Sequence, residues 1–157
     1  MISRAGEAGE AGAAALVLAA VAALILAGCG GASESAGRLR AQATRVCALA
    51  LHEGARIKPP AVPAATPAFL RRGNAVLRSE IAQLRTLRPP SEQAGVYSAA
   101  VAALRREAAI LGATIRDLDR GADPLPTIKA LQHRLAPVET DGDAAWRTLD
   151  VPACVSR

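Results

Sequence analysis

Residues 91–119 read SEQAGVYSAAVAALRREAAILGATIRDLD, and this stretch decides the fold. Tyr97, Val101, Leu104, Ala108, Leu111, Ile115 and Leu118 recur in steps of four, three, four, three, four and three. An α-helix turns every 3.6 residues, so that spacing collects all seven on one face. A strand would need alternation with a period of two, which the run lacks. The helix is expected to start at the cap Ser91 and to end near Leu118, with Gly121 as its stop.

The same reading extends to both sides. Pro89-Pro90 closes a preceding segment that opens at Thr66-Pro67, an N-cap followed by Pro at the first helical position. It carries Leu70, Leu77 and Leu84 at heptad spacing, with Ile81 and Leu87 filling the stripe and Gly73-Asn74 as a weak spot. Lys58-Pro59-Pro60-Ala61-Val62-Pro63 is an extended connector. Before it, residues 37–57 place Leu39, Ala43, Val46 and Ala50 on one face, with Cys47 and Leu51 alongside and Glu53 on the apolar side. After Gly121, a fourth helix opens at Asp123-Pro124 or Thr127 and carries Ile128, Leu131, Leu135, Val138, Ala145 and Leu149. Pro137 and Asp141-Gly142-Asp143 are expected to kink or break it. Short connections make consecutive helices antiparallel, so the fold class is all-α, an up-down four-helix bundle. Tyr97 and Trp146 fall on or beside the apolar stripes and are assigned to the core.

Composition agrees. The chain has 157 residues, 51% hydrophobic and 2% aromatic, with 38 Ala. Strands favour aromatic and β-branched residues, so the composition disfavours an all-β sandwich or barrel, and Ala, Leu and Arg favour helix. The net charge is +5, and 17 of the 19 basic residues are Arg. Abundant Ala, Arg and Pro together look like the codon bias of a high-GC bacterium, which weakens the charge as a functional clue.

Ahead of the bundle, Ala11–Ala27 reads AGAAALVLAAVAALILA without a charge. At a rise of about 1.5 Å per residue it reaches roughly 25 Å, between a signal h-region and a membrane span. The next residues choose between them. Leu26-Ala27-Gly28-Cys29 resembles the lipobox of bacterial lipoproteins, a branched apolar residue, two small residues and a Cys. The resemblance implies cleavage before Cys29 and lipidation of its thiol. It divides the chain into a signal peptide (1–28), a flexible tether (29–37) and a helical bundle domain (38–157). The n-region departs from the pattern: Arg4 faces Glu7 and Glu10, where a signal is normally basic. The alternative is an uncleaved membrane helix with Cys29 as a bystander. The expected location is the cell membrane, lipid-anchored on its extracytoplasmic face. Beyond the lipobox, the domain looks like small secreted helical proteins of high-GC bacteria. It shares with them an early Cys, a Leu87-Arg88-Pro89-Pro90 helix end and a Cys near the C-terminus, a similarity that implies no activity.

With Cys29 lipidated, Cys47 and Cys154 remain, an even pair in an oxidising compartment. A disulfide would tie helix 1 to the C-terminal tail and close a loop of roughly 100 residues, worth roughly 4–5 kcal/mol of chain entropy. Two buried thiols are the alternative. No Cys-x-x-Cys points to redox chemistry.

The search for catalytic chemistry finds none. His52 and His133 fall on solvated faces, and no Glu-x-x-His pair builds a metal site. Asp117, Asp119 and Asp123 echo a calcium loop, but Ile128 stands where its Glu belongs. No triad and no phosphate loop are present. No catalytic residue, cofactor or metal ligand is therefore assigned. Arg71, Arg78, Arg85 and Arg88 form a row, each one residue after a Leu. They are either a contact for an anionic surface or cations whose stems cover the core edge. Nucleic acid is not an expected partner, since interleaved aromatics are missing. The expected function is a non-enzymatic envelope lipoprotein. It would bind the membrane through lipidated Cys29 and act by contact with an envelope protein or polymer. The alternative is a small-molecule-binding bundle with a cavity near Gly73, Tyr97 and Gly142.

Overall fold

The computed structural model describes residues 35–155. The expected signal peptide, Cys29 and most of the tether lie outside the described residues. Within them the fold is an all-α bundle of four helices: α1 (Ala36–Ala55), α2 (Thr66–Leu84), α3 (Ser91–Asp119) and α4 (Pro124–Thr148). Short 3-10 turns at Pro63–Ala65 and Pro152–Cys154 precede α2 and follow α4. No described helix is long and apolar enough to cross a membrane.

Consecutive helices pack on each other, and α1 also packs on the C-terminal 3-10 turn. Contacts between opposite ends show that α2 and α3 run antiparallel. Arg71, at the start of α2, meets Asp119, at the end of α3. Tyr97, at the start of α3, donates its hydroxyl to the Leu84 carbonyl at the end of α2, at 2.6 Å.

The core forms where the stripes converge: Leu39, Ala43 and Cys47 from α1, Ile81 and Leu84 from α2, Tyr97, Val101 and Leu104 from α3, and Trp146 and Leu149 from α4. With so few aromatics, Tyr97 and Trp146 supply much of its volume. Their rings meet edge to face, with centroids 5.9 Å apart at 85°, an arrangement that ring quadrupoles favour. Both are core, and Trp146 is 1% exposed. Cys47 and Cys154 are joined by a disulfide with Cα atoms 5.2 Å apart, both ends buried.

Several local expectations are corrected. Ser35 caps α1 by accepting from the Arg38 N–H at 3.3 Å, so the helix begins at Ala36. Thr66 and Ser91 are first helical residues rather than caps, because Ala65 and Pro90 occupy the cap positions without side-chain hydrogen bonds. Asp123 caps α4, accepting from the Leu125 N–H at 3.0 Å. Leu51 and Glu53 are exposed, since the buried face of α1 ends at Ala50. Neither Pro137 nor Gly142 breaks α4, which continues through both. Pro137 lies on the exposed side, as does His133, whose carbonyl loses its helical donor there.

Two helices end on Schellman motifs. After α3, Gly121 takes φ +91°, its N–H donates to the Leu118 carbonyl, and the Ala122 N–H donates to Asp117. After α4, Asp150 takes the left-handed position at φ 56°, and the Val151 N–H returns to the Trp146 carbonyl at 3.1 Å. Val151 is buried there, which aims the chain back toward Cys47.

Candidate functional site

The arginine row of α2 divides three ways. Arg71 is held by Asp119, its Nη1 lying 2.7 and 2.9 Å from the two carboxylate oxygens. Arg88 lies beyond Leu84, where α2 ends, and so leaves the helical row. Arg78 lies on α2 and Arg85 is its C-cap, still at helical backbone angles, and there they meet Arg105 of α3. These three line a groove of about 310 Å³ between the helices. Its floor is Ile81 and Ala82 from α2 with Ala108 and Ala109 from α3.

The cationic line continues along the seam. At Gly112 a side chain would lie 3.7 Å from both Arg116 Nη1 and Asn74 Nδ2. Arg116 thus folds back over its own helix beside Asn74 of α2. Arg105 and Arg116 are eleven residues apart, so the line is about 16 Å long at 1.5 Å rise per residue. Among the described residues, Arg78, Arg85, Arg105 and Arg116 make no ion pair, although five other arginines do. Exposed guanidiniums lose little by being solvated, so an unpaired cluster carries only mild self-repulsion, screened by salt.

A second hollow, about 340 Å³, opens between α3 and α4. It is lined by Leu104, Glu107, Glu139, Gly142, Asp143 and Trp146, among others. Gly142 lets the two helices approach closely here: a Cβ on it would stand 3.1 Å from the Ala103 Cβ, and that neighbour would have to shift by a few tenths of an ångström. Trp146 Nε1 is buried with no hydrogen-bond partner. Neither Gly73 nor Tyr97 lines this hollow, so only Gly142 of the three expected residues belongs to it.

His52 and His133 are both exposed. No group of three or more His, Cys, Asp or Glu residues able to hold a metal occurs among the described residues. The disulfide consumes Cys47 and Cys154 and leaves neither as a nucleophile.

No protein-family model matches the chain, and neither a curated protein nor a solved structure does. The functional reading therefore rests on this chain's own residues.

Sequence reasoning missed three side chains of consequence. Arg105 lies on α3, outside a row of arginines that runs along α2 alone. Asn74 and Glu80 are buried in α2. Their positions carried a signal: Asn74 lies seven residues before Ile81, and Glu80 lies three after Leu77 and four before Leu84, so both fall on the apolar stripe.

Proposed function

We propose that this chain is a non-enzymatic envelope lipoprotein, held on the extracytoplasmic face of the cell membrane by lipidated Cys29, whose helical domain works by contact. The reading of the anchor is supported by Leu26-Ala27-Gly28-Cys29 after the apolar run Ala11–Ala27. Two acyl chains, at about 0.8 kcal/mol per buried CH₂, make an anchor that hardly dissociates. The contact role is carried by one observation: three arginines without acidic partners share a single groove. An anionic envelope polymer is the partner that groove suits.

Intact-mass measurement on membrane-extracted protein tests the anchor. Residues 29–157 plus lipid are expected, and Cys29→Ser is expected to move the chain out of the membrane fraction. An unmodified full-length mass refutes lipidation. The alternative, small-molecule binding, is favoured by the α3–α4 hollow with the unpartnered Trp146 Nε1. A small ligand that raises the melting temperature of the protein, and no longer does so in Gly142→Leu, would decide for it.

A further inference from the structure

We propose that the α2–α3 groove binds a linear, phosphate-bearing polyanion laid parallel to the helices. The proposal rests on the contact reading of that groove and is independent of the lipid anchor.

Three features of the groove specify the occupant. The first is length. Arg78 and Arg85 are seven residues apart on one helix, about 10 Å along its axis. One phosphate between them engages both only by drawing the two side chains together, whereas a chain of anionic groups meets each in turn. Arg105 faces them from α3, and Arg116 carries the line further.

The second is the donor balance. The lining offers guanidinium N–H groups and methyl or methylene surface, with no side-chain acceptor. The α3 wall is mid-helix with its backbone in its own ladder, while the α2 wall runs into that helix's last turn, where the Ile81, Gln83 and Leu84 carbonyls accept from the Arg85, Thr86 and Leu87 N–H groups. The side chains there offer a ligand donors only. A polyphosphate or phosphodiester chain is rich in acceptors and poor in donors, so it loses nothing on entering. An acidic peptide brings one N–H per residue, for which the side chains of the groove offer no acceptor.

The third is shape. A chain fits between two helices, while a flat bilayer surface meets only the protruding rims. Guanidinium forks suit phosphate oxygens in a bidentate fashion.

The experiment uses the full-length chain in neutral detergent, with inorganic polyphosphate of graded length, starting from orthophosphate, as the probe. Binding is followed by calorimetry at several salt concentrations. Affinity is expected to rise at least about tenfold from orthophosphate to long chains, as successive sites engage. The slope of log K against log salt is expected near −2 to −3, about 0.7–0.9 for each of three engaged arginines. Arg78→Gln, Arg85→Gln and Arg105→Gln should each lower that slope by about 0.7–0.9, and the triple variant should lose more than about tenfold in affinity, since each factor of ten is only about 1.4 kcal/mol. Arg88→Gln, outside the groove, should leave both unchanged. Thermal melts confirm that the variants fold, as expected for exposed positions.

Three results overturn the proposal. Equal affinity for orthophosphate and long chains would mean a point site. Equal losses in Arg88→Gln and the groove variants would mean diffuse attraction to net charge. Binding of phosphatidylglycerol vesicles or polyglutamate through the groove arginines, without binding of polyphosphate, would assign the groove to a membrane or a protein instead. Loss of the anchor in Cys29→Ser leaves these outcomes unaffected, so the two proposals fail separately.

Discussion

Removing the disulfide should cost this fold a large part of its stability. Cys47 and Cys154 are 107 positions apart. Cross-linking a loop of that size removes chain entropy from the unfolded state worth about 4.7 kcal/mol. A domain of this size has a total stability of about 5–15 kcal/mol, so the loss is between a third and nearly all of it. The packing sharpens the expectation. Besides α2, the main neighbour of α1 is the C-terminal 3-10 turn that carries Cys154. Without the bond, the turn is held to the Leu39–Cys47 half of α1 by the apolar cluster with Trp146, Leu149 and Val151 and by the exposed Arg40–Asp150 pair. Both sulfurs are buried, so reductant reaches them only through unfolding. The clean perturbation is therefore Cys47→Ala with Cys154→Ala. Urea unfolding followed by far-UV circular dichroism reads the effect. With a slope of about 2 kcal/mol per molar urea, the midpoint should fall by roughly 2 M. Hydrogen exchange should show the Ala36–Cys47 half of α1 losing protection first. A midpoint shift below about 0.5 M, or about 1 kcal/mol at that slope, would refute the view that the crosslink closes the bundle.

Three further outcomes are expected. Tyr97→Phe removes the hydroxyl that donates to the Leu84 carbonyl, which still accepts from the Leu87 N–H; denaturant titration should show a loss of about 1 kcal/mol, and no loss would mean the bond is neutral. Gly73→Ala and Gly142→Ala make a pair, since a Cβ at Gly73 meets nothing within 4 Å while one at Gly142 meets Ala103 at 3.1 Å. The first should gain about 0.5–1 kcal/mol from helix propensity and the second should not, so an equal rise in melting temperature would refute the close α3–α4 approach. Asp150→Val should lose about 1–2 kcal/mol because a β-branched residue resists φ 56°. Asp150→Gly should be neutral or better, with the exposed Arg40 pair contributing little, and the two melts compared decide it.

What could be read from the chain, and what could not, follows from the range of the interactions. All four helices were legible because each carries its stripe within its own residues, as Leu70, Leu77 and Leu84 do in α2. The caps were misplaced by one residue because Ala65 already has helical backbone angles, φ −86° and ψ −5°, at the end of a 3-10 turn. Thr66 thus enters α2 as a member and not as a cap. Gly142 carries the local signal of a break, a propensity cost of about 1 kcal/mol. Its benefit lies in Ala103, on another helix, and no local pattern announces it. Pro137 was misjudged for a related reason: the penalty of a missing hydrogen bond depends on whether the orphaned carbonyl faces core or solvent.

The arginine groove shows how a site can be written in dipeptides and assembled by topology. Leu77-Arg78 and Leu84-Arg85 on α2, and Leu104-Arg105 on α3, share one rule: the arginine follows a residue of the apolar stripe. Two helices running in the same direction would place such residues on opposite edges of their shared seam. Reversing one helix mirrors its flanks and brings them to the same edge. The pair Leu70-Arg71 and Leu118-Asp119 obeys the same rule and gives an ion pair, so the seam is neutralised at that end and cationic along the rest. Leu87-Arg88 keeps the dipeptide but lies past the end of α2, and it drops out. Position in the dipeptide chooses the edge, helix direction merges the two edges, and the helix terminus decides how far the line runs. The groove is therefore a consequence of antiparallel packing. An insertion of one residue in α2 between Arg71 and Arg78 would turn the row by about 100° and separate Arg78 and Arg85 from Arg105 or from their leucines. Such a variant would retain its charge and helical propensity, and it should lose polyphosphate binding in the calorimeter as fully as the triple Gln variant does.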